Sequence, residues 1–243
     1  VAAAAQDAAI AAAAGAVAAT LDLERGPIAR AILFDLGPKR AQRLLVVVHH
    51  FAFDAVSAVI CARDLEHVYG RLARGEAPTL PRKTMSYRQW ATRLAALGAD
   101  TVLDEELGFW VRQSRNGGPS LPTDFPAARA TEASTQLLVR RLEPELTAML
   151  VGGTAGHGRR PRPDHLLLAA FVGALSRWSA SRAFAVDVVG HGRDPGLLDG
   201  DLSRTVGWFT TLFPVHFELG DATAPQDVLG LVRQQLERVP RGG

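Results

Sequence analysis

The run Leu44-Leu45-Val46-Val47-Val48-His49-His50-Phe51-Ala52-Phe53-Asp54 is the most informative part of this 243-residue chain. Its apolar first half predicts a buried strand, because short runs rich in valine and leucine are typical of strands inside a core. The two histidines therefore lie where that strand leaves the core. An imidazole held at such a strand end can present one face to a ligand, and it titrates near neutral pH.

The residues alone leave two interpretations of this histidine pair open. His50 could act as an acid or base, or the pair could be ordinary strand-end histidines, one buried and hydrogen-bonded and the other exposed. No metal site is predicted, because adjacent strand residues point to opposite faces and His49 and His50 could not easily share one ion.

Composition narrows the class of protein. With 47% apolar residues the chain can bury a sizeable core, as one large domain or two small ones. The 27 basic and 25 acidic side chains nearly balance, and no segment mixes clustered Lys and Arg with aromatics, so no nucleic-acid partner is predicted. No segment has the roughly 18 continuous apolar residues of a membrane span, so no membrane association is predicted.

The cysteine content and the first residues indicate the compartment. Cys61 lies in the apolar run Val59-Ile60-Cys61-Ala62, which predicts a buried thiol, and a single cysteine allows no internal disulfide. The alanine-rich start, residues 1–20, lacks the basic region of a signal peptide and is predicted to be a helix. A soluble, cytoplasmic protein is therefore expected.

Hydrophobic periodicity predicts a mixed α/β fold, because strands and helices alternate without a clean βαβ period. Residues 151–163, rich in Gly, Pro and Arg, predict a linker or loop between a part comprising 1–150 and a part comprising 164–243. The predicted helices are 2–19, 56–72, 86–97, 104–114, 163–178 and 225–239, and the predicted strands are 29–36, 44–48, 135–142, 184–189 and 205–217.

Two further strings could carry chemistry. Gly190-His191-Gly192-Arg193 places a histidine between glycines, which indicates a close backbone approach or a positive φ, although an ordinary turn explains it equally. In Arg204-Thr205-Val206-Gly207-Trp208-Phe209-Thr210, the rings of Trp208 and Phe209 should face opposite sides, and core packing alone would account for them.

Taken in order, these strings resemble the condensation superfamily of nonribosomal peptide synthetases, and within it most of all the epimerization domains. The order is His49-His50-x-x-x-Asp54, Asp164-His165, Gly190-His191-Gly192-Arg193 and then Arg204 to Thr210. The last string is the most specific, since peptide-bond-forming relatives usually have Phe-Val-Asn-Thr there. Domains of this family are usually much longer, so we expect the chain to cover only the middle of one.

The resemblance implies two chloramphenicol-acetyltransferase-like lobes in a V with a central tunnel. Residues 1–150 would belong to the N-lobe and residues 164–243 to the C-lobe. The substrate would be an aminoacyl or peptidyl thioester on the 4′-phosphopantetheine arm of a peptidyl carrier protein. The expected partners are thus that carrier and neighbouring synthetase domains, with no cofactor bound by the domain itself.

The resemblance also assigns roles to single residues. His50 would be the catalytic base that removes a proton from Cα of the thioester. Supporting or structural roles would fall to His49, Asp54 and Arg193. Our own expectation is that Asp54 is structural and pairs with Arg193. The side chains expected to line the substrate tunnel are Ser57, His191, Trp208 and Thr210.

Three positions depart from the family pattern. Val189 stands where epimerization domains have the glutamate thought to serve the second face of Cα, and valine cannot carry a proton. Ala55 replaces a glycine, and Ala58 replaces a tryptophan. The sequence therefore leaves three hypotheses: an epimerase with incomplete two-base machinery, an acyl-transfer enzyme that forms amides or esters, and a silent module that docks carrier proteins or supports neighbouring domains.

Overall fold

The computed structural model describes residues 3–99, 101–115, 121–125, 131–152, 162–193 and 198–242. The chain forms two compact units. Unit 1 comprises residues 1–100 and 191–211, and unit 2 comprises residues 101–190 and 212–243. Most of the predicted linker, residues 153–161, lies outside the described residues. The division into lobes predicted from the sequence has other bounds than these units, and it stays a prediction.

Unit 1 contains three helices and a small antiparallel sheet among its described residues. Its strands pair from Ala29 opposite Val48 to Phe34 opposite Arg43. The elements are α1 (Ala3–Ala18), β1 (Ala29–Phe34), β2 (Arg43–Val48), α2 (Ala55–Ala73) and α3 (Tyr87–Gly98).

Leu44 to Val48 form a strand as predicted, but the prediction that this strand is buried is wrong. The strand exists as β2, but Leu44 is 49% exposed and Val46 is 54% exposed. Cross-strand partners lie on the same face of a sheet, so Leu33, paired with Leu44 and itself 62% exposed, shares that face. Only β1 and β2 form this sheet among the described residues, which leaves the face open.

Both long helices of unit 1 that follow the sheet begin at side-chain caps. The carboxylate of Asp54 accepts a hydrogen bond from the backbone N–H of Ser57, which fixes the start of α2. Ser86 and Gln89 form a capping box at the start of α3. These caps explain why both predicted helices appear close to their predicted bounds.

The prediction of a buried thiol at Cys61 is wrong, because the side chain is exposed. The buried positions of α2 are Ser57 and Ile60. Since successive helical residues are rotated by about 100°, Cys61 points away from the stripe that Ile60 shares with Ser57. Partial burial still raises the pKa of the thiol, with a smaller contribution from the charge of Asp64.

Unit 2 packs helices around the pair β3–β4. Its elements are α4 (Asp104–Arg115), α5 (Pro144–Gly152), α6 (Pro163–Ser179), β3 (Ala183–Gly190), β4 (Thr211–Glu218) and α7 (Pro225–Glu237), with Thr211 at the boundary to unit 1. β3 and β4 are hydrogen-bonded neighbours. The core includes Val172, Phe184, Phe213, Val215, Phe217, Leu219, Val228 and Val232.

The prediction of a strand at 135–142 is wrong, and the prediction of a strand at 205–217 is wrong for its first residues. Residues 135–142 form no strand, and Leu137 and Leu138 are 87% and 76% exposed. An isolated extended segment has no ladder partner, and none is present beside it among the described residues. The strand predicted at 205–217 begins only at Thr211, because side chains of unit 1 bind the backbone before that residue. Within the described ranges, no helix combines the length and hydropathy that a membrane span requires.

Candidate active site

A buried ion pair joins the histidine motif to the Gly-His-Gly-Arg string. Arg193 donates from Nη1 to Oδ2 of Asp54 at 2.6 Å and from Nη2 to Oδ1 at 3.0 Å. The two side chains are only 7% and 2% exposed. The guanidinium also lies over the ring of Phe209, 4.1 Å from its centroid. The pairing predicted from the sequence is therefore present in a bidentate geometry.

Asp54 is held as an anion inside unit 1. Its carboxylate accepts hydrogen bonds from the backbone N–H groups of Ser57 at 2.7 Å and Phe209 at 3.1 Å, in addition to the two from Arg193. Burial would raise the pKa of Asp54, but the hydrogen bonds from Arg193, Ser57 and Phe209 outweigh it and lower the pKa to about 2. Both carboxylate oxygens accept hydrogen bonds and the group is charged near neutral pH, so it is unsuited to proton transfer there.

Ser57 connects α2 to the Val-Gly-Trp-Phe string through one hydroxyl. Its Oγ donates to the carbonyl oxygen of Gly207 and accepts from the N–H of Gly207, each at 3.0 Å. It also accepts from Nη2 of Arg193 at 3.2 Å. Ser57 has no exposed surface in the structure. Its predicted role in lining the tunnel stays untested, while its geometry favours a structural role.

Residues of α3 hold the same string from another direction. The Tyr87 hydroxyl donates to the carbonyl oxygen of Trp208 at 3.0 Å. Phe209 packs against the rings of Tyr87 and Trp90, with centroids 5.2 and 4.7 Å away. Gly207 must be glycine here, because a Cβ at that position would overlap the ring of Tyr87.

The beginning of the string is tied down by two further polar contacts. Thr205 donates from Oγ1 to the carbonyl oxygen of Met85 at 2.6 Å. Arg204 places Nη2 2.8 Å from each carboxylate oxygen of Asp64 on α2. These side-chain bonds fix residues 204–209 as an irregular segment, which explains why the strand predicted from residue 205 starts later.

His50 lies at the exposed edge of this network. It begins the single turn His50–Ala52 between β2 and α2. Its Nδ1 is 2.8 Å from the carbonyl oxygen of Phe53. Since a carbonyl can only accept, Nδ1 carries the proton, and Nε2 of the neutral ring has a free lone pair. The imidazole meets the Trp208 ring edge to face, with centroids 4.5 Å apart.

His49 and His191 hold their rings in the other tautomer. The backbone N–H of Phe51 donates to Nδ1 of His49 at 3.2 Å, and the N–H of Arg193 donates to Nδ1 of His191 at 3.0 Å. His49 is half-buried, whereas His191 is exposed. The structure thus places His191 in the loop that carries the buried Arg193.

The remaining predicted positions are easily located. Phe209 is buried and its neighbours Trp208 and Thr210 are half-buried. That the rings of Trp208 and Phe209 face opposite sides stays a prediction. Val189 lies near the end of β3 in unit 2 and is 67% exposed. The described side chains include no group of three or more His, Cys, Asp or Glu arranged to hold a metal ion.

Sequence reasoning missed Tyr87, whose hydroxyl and ring hold the backbone at 207–208. The Ser86 and Gln89 capping pair could have placed Tyr87 in the first turn of α3. No local signal links it to a glycine about 120 residues further along the chain, however, because that contact depends on the tertiary fold.

A mixed α/β fold that carries the His-His-x-x-x-Asp string agrees with the resemblance to the condensation superfamily of nonribosomal peptide synthetases. The model of the Condensation domain family matches residues 1–243, and the chain therefore belongs to this family.

The similar curated proteins are parts of large synthases. One of the linear gramicidin synthase subunits from Brevibacillus parabrevis is 39% identical over 229 residues, which are 93% of this chain and 3% of that protein. Tyrocidine synthase 1 from the same species is 29% identical over 92% of this chain and 20% of its own length. The chain thus corresponds to a small part of each relative.

Solved structures confirm the fold and the resemblance. The epimerization domain from the third module of tyrocidine synthetase B matches with a TM-score of 0.86 and 27% identity, covering 97% of this chain and 53% of that one. The X-domain from teicoplanin biosynthesis matches with a TM-score of 0.62 and 26% identity, over 91% and 49%. The chain spans about half the length of these matched structures.

Proposed function

We propose that this chain carries the base-bearing part of an epimerization-like domain, which acts at Cα of an aminoacyl or peptidyl thioester. The thioester would arrive on the 4′-phosphopantetheine arm of a peptidyl carrier protein. Support for this class of reaction comes from the similarity to an epimerization domain and from the string Arg204 to Thr210. The observation that carries the proposal is the free Nε2 of His50.

The geometry around His50 suits a general base. The bond from Nδ1 to the Phe53 carbonyl fixes the tautomer, so the lone pair of Nε2 is available for a proton. The contact with Trp208 fixes the plane of the ring. A base must present its lone pair in a defined direction within reach of the proton it removes, and these two contacts supply that direction.

The proposed step moves one proton and one electron pair. Nε2 of His50 takes the proton from Cα, and the electrons of the C–H bond form a double bond between Cα and the carbonyl carbon. The carbonyl oxygen of the thioester becomes negative, and the imidazole becomes an imidazolium. Return of a proton to the opposite face of Cα inverts the centre, and return from His50 restores it.

Val189 sets the expected stereochemical outcome. In epimerization domains a glutamate at this position is thought to serve the second face, and valine offers no proton there. We therefore expect exchange of the Cα proton to be faster than inversion. Val189→Glu should raise the inverted fraction, and Val189→Gln, which has the same size without a carboxylate, is its matched control.

Two alternatives remain for the same site. A catalytically silent module that docks carrier proteins is favoured by Val189, because it removes half of the expected machinery. An acyl-transfer domain would use His50 to position an amine or hydroxyl that attacks the thioester. Membership of the condensation family is compatible with both.

The test uses the full-length protein that contains this chain, with its carrier loaded with a Cα-deuterated L-aminoacyl thioester. Loss of deuterium and the chirality of the released amino acid are followed together. Washout with D-product supports epimerization, and washout with retained L-configuration supports a one-sided base. Deuterium washout and any formation of D-product should disappear in His50→Ala. They should persist in His67→Ala, which changes an exposed histidine of α2.

Absence of washout in the wild-type protein would contradict the proposal. The alternatives then separate in a second assay with an acceptor amine or a downstream aminoacyl carrier. Amide formation that His50→Ala abolishes would indicate acyl transfer. Carrier binding without either reaction would indicate the silent module.

A further inference from the structure

His191 exposes the chemical function that His50 lacks. The N–H of Arg193 donates to Nδ1 of His191, and since an N–H group can only donate, Nδ1 is the acceptor. The neutral His191 ring therefore carries its proton on Nε2. His50 carries its proton on Nδ1, bonded to the Phe53 carbonyl. One exposed ring thus offers a lone pair at Nε2, and the other offers an N–H donor at the same atom.

The loop that carries His191 is fixed to the segment that His50 contacts. Gly192 has a φ of +62°, and a Cβ there would overlap the carbonyl group of Phe209. The next residue, Arg193, binds Asp54 through the buried ion pair. The ring of His50 contacts Trp208, directly before Phe209. Both histidines are therefore attached, within unit 1, to one rigid set of contacts.

We infer that His191 is a further catalytic residue, whose Nε2–H donates a hydrogen bond to the thioester carbonyl oxygen as the enolate forms. This inference rests on the proposed function, because it needs a thioester whose Cα proton His50 removes. When negative charge moves from the C–H bond to that oxygen, the oxygen accepts the bond from Nε2–H. No proton leaves His191, so the ring stays neutral throughout the step.

A neutral donor suits this position for two reasons. Protonation of His191 at Nδ1 would break its bond with the N–H of Arg193. A neutral ring also adds no positive charge beside the imidazolium that His50 becomes. The enolate needs electrostatic support, and Arg193 is buried against Asp54 and cannot provide it. The Nε2–H of the neutral His191 ring is an exposed donor attached to this network.

Two substitutions separate this role from a structural one. His191→Asn keeps an acceptor at the position of Nδ1 for the N–H of Arg193, but its side chain ends before the position of Nε2. His191→Gln places an amide N–H near the position of Nε2 and loses the acceptor at Nδ1. If His191 is catalytic, His191→Asn should slow deuterium washout more than His191→Gln does. If His191 is purely structural, His191→Gln should be the more harmful of the two.

The assay is deuterium washout from the carrier-bound thioester, with the full-length protein and saturating carrier. We expect His191→Asn to lower kcat by about 100-fold with little change in KM, as for loss of one oxyanion donor. His191→Gln should stay within about tenfold of wild type, and His67→Gln should equal it. Thermal unfolding of each variant reports on the fold.

Each result bears on a different claim. No washout in the wild-type protein would overturn the proposed function and this inference with it. Washout that depends on His50 but is unchanged in His191→Asn would overturn the inference alone. A larger loss in His191→Gln than in His191→Asn, matched by a lower unfolding temperature, would also overturn it and assign His191 to loop structure. If neither variant folds, His191→Ala with added imidazole replaces them: recovery of washout supports the inference and no recovery overturns it.

Discussion

Asp54 and His50 belong to one short motif, but they differ in burial and in hydrogen bonding. Asp54 is 2% exposed and accepts hydrogen bonds from Arg193, Ser57 and Phe209. His50 is exposed, and its side chain makes one hydrogen bond to the described residues, through Nδ1, which leaves Nε2 with its lone pair. The motif therefore combines one residue that holds the fold, Asp54, with one residue that is free for chemistry, His50. Mutations should therefore separate stability from turnover.

The largest separation is expected from His50→Ala. Loss of a positioned general base should slow deuterium washout by about 10³-fold. The free energy of unfolding should fall by less than about 1 kcal/mol, because the side chain is exposed. Washout kinetics and thermal unfolding of the same preparation check both effects. A loss of stability large enough to explain the lost activity would show that His50 belongs to the scaffold.

Asp54→Ala should give the opposite profile. Removal of the carboxylate leaves the buried guanidinium of Arg193 without its anionic partner, which should cost about 3 kcal/mol of unfolding free energy. Chemical denaturation measures this loss. The matched control is Asp164→Ala, which breaks the exposed pair with Arg162 and should cost less than about 1 kcal/mol. If Asp54→Ala kept wild-type stability and lost only turnover, its assignment to the scaffold would be wrong.

The pH dependence of stability should sharpen the same comparison. The pKa of Asp54 is lowered to about 2, below its ordinary value of 3.8, so the folded state favours the charged form. The resulting stability, about 2 kcal/mol, is present above about pH 5 and is lost as the pH falls toward about 2. The difference in unfolding free energy between wild type and Asp54→Asn should shrink over that range. A difference that stays constant would contradict the lowered pKa.

The smallest effect concerns the segment that supports both residues. Tyr87→Phe removes the hydrogen bond to the Trp208 carbonyl and keeps the ring packing, so it should cost about 1 kcal/mol. Equilibrium denaturation checks this value against Tyr69→Phe, a change at a tyrosine that is 72% exposed. Equal stability of the two variants would mean that the Tyr87 hydroxyl does not hold the segment.

The sequence predicted the parts of this site that local patterns encode. Capping residues mark the starts of α2 and α3, and the strings around Asp54 and Arg193 were enough to predict their pairing. The mixed α/β fold is confirmed by similarity to condensation-family structures. In each case the signal lies within a few residues or within a recognisable string.

The parts that failed depend on contacts between distant residues. Residues 205–210 have the composition of a strand, but the side chains of Ser57 and Tyr87 bind their backbone and hold it irregular. The composition of Leu44 to Val48 predicts burial, yet burial depends on what covers the sheet. Cys61 was misplaced because an apolar run on a helix has an outer face as well as an inner one.

The protonation pattern of His50 tests most directly whether this residue can act as the base. Nitrogen-15 NMR of histidine-labelled protein, assigned with His50→Asn and His191→Asn, distinguishes the two neutral tautomers of each ring. We expect neutral His50 to carry its proton on Nδ1 and to leave Nε2 unprotonated, with the reverse arrangement in His191. A His50 ring with its proton on Nε2 would rule out His50 as the base, because Nε2 would then have no lone pair to accept the Cα proton.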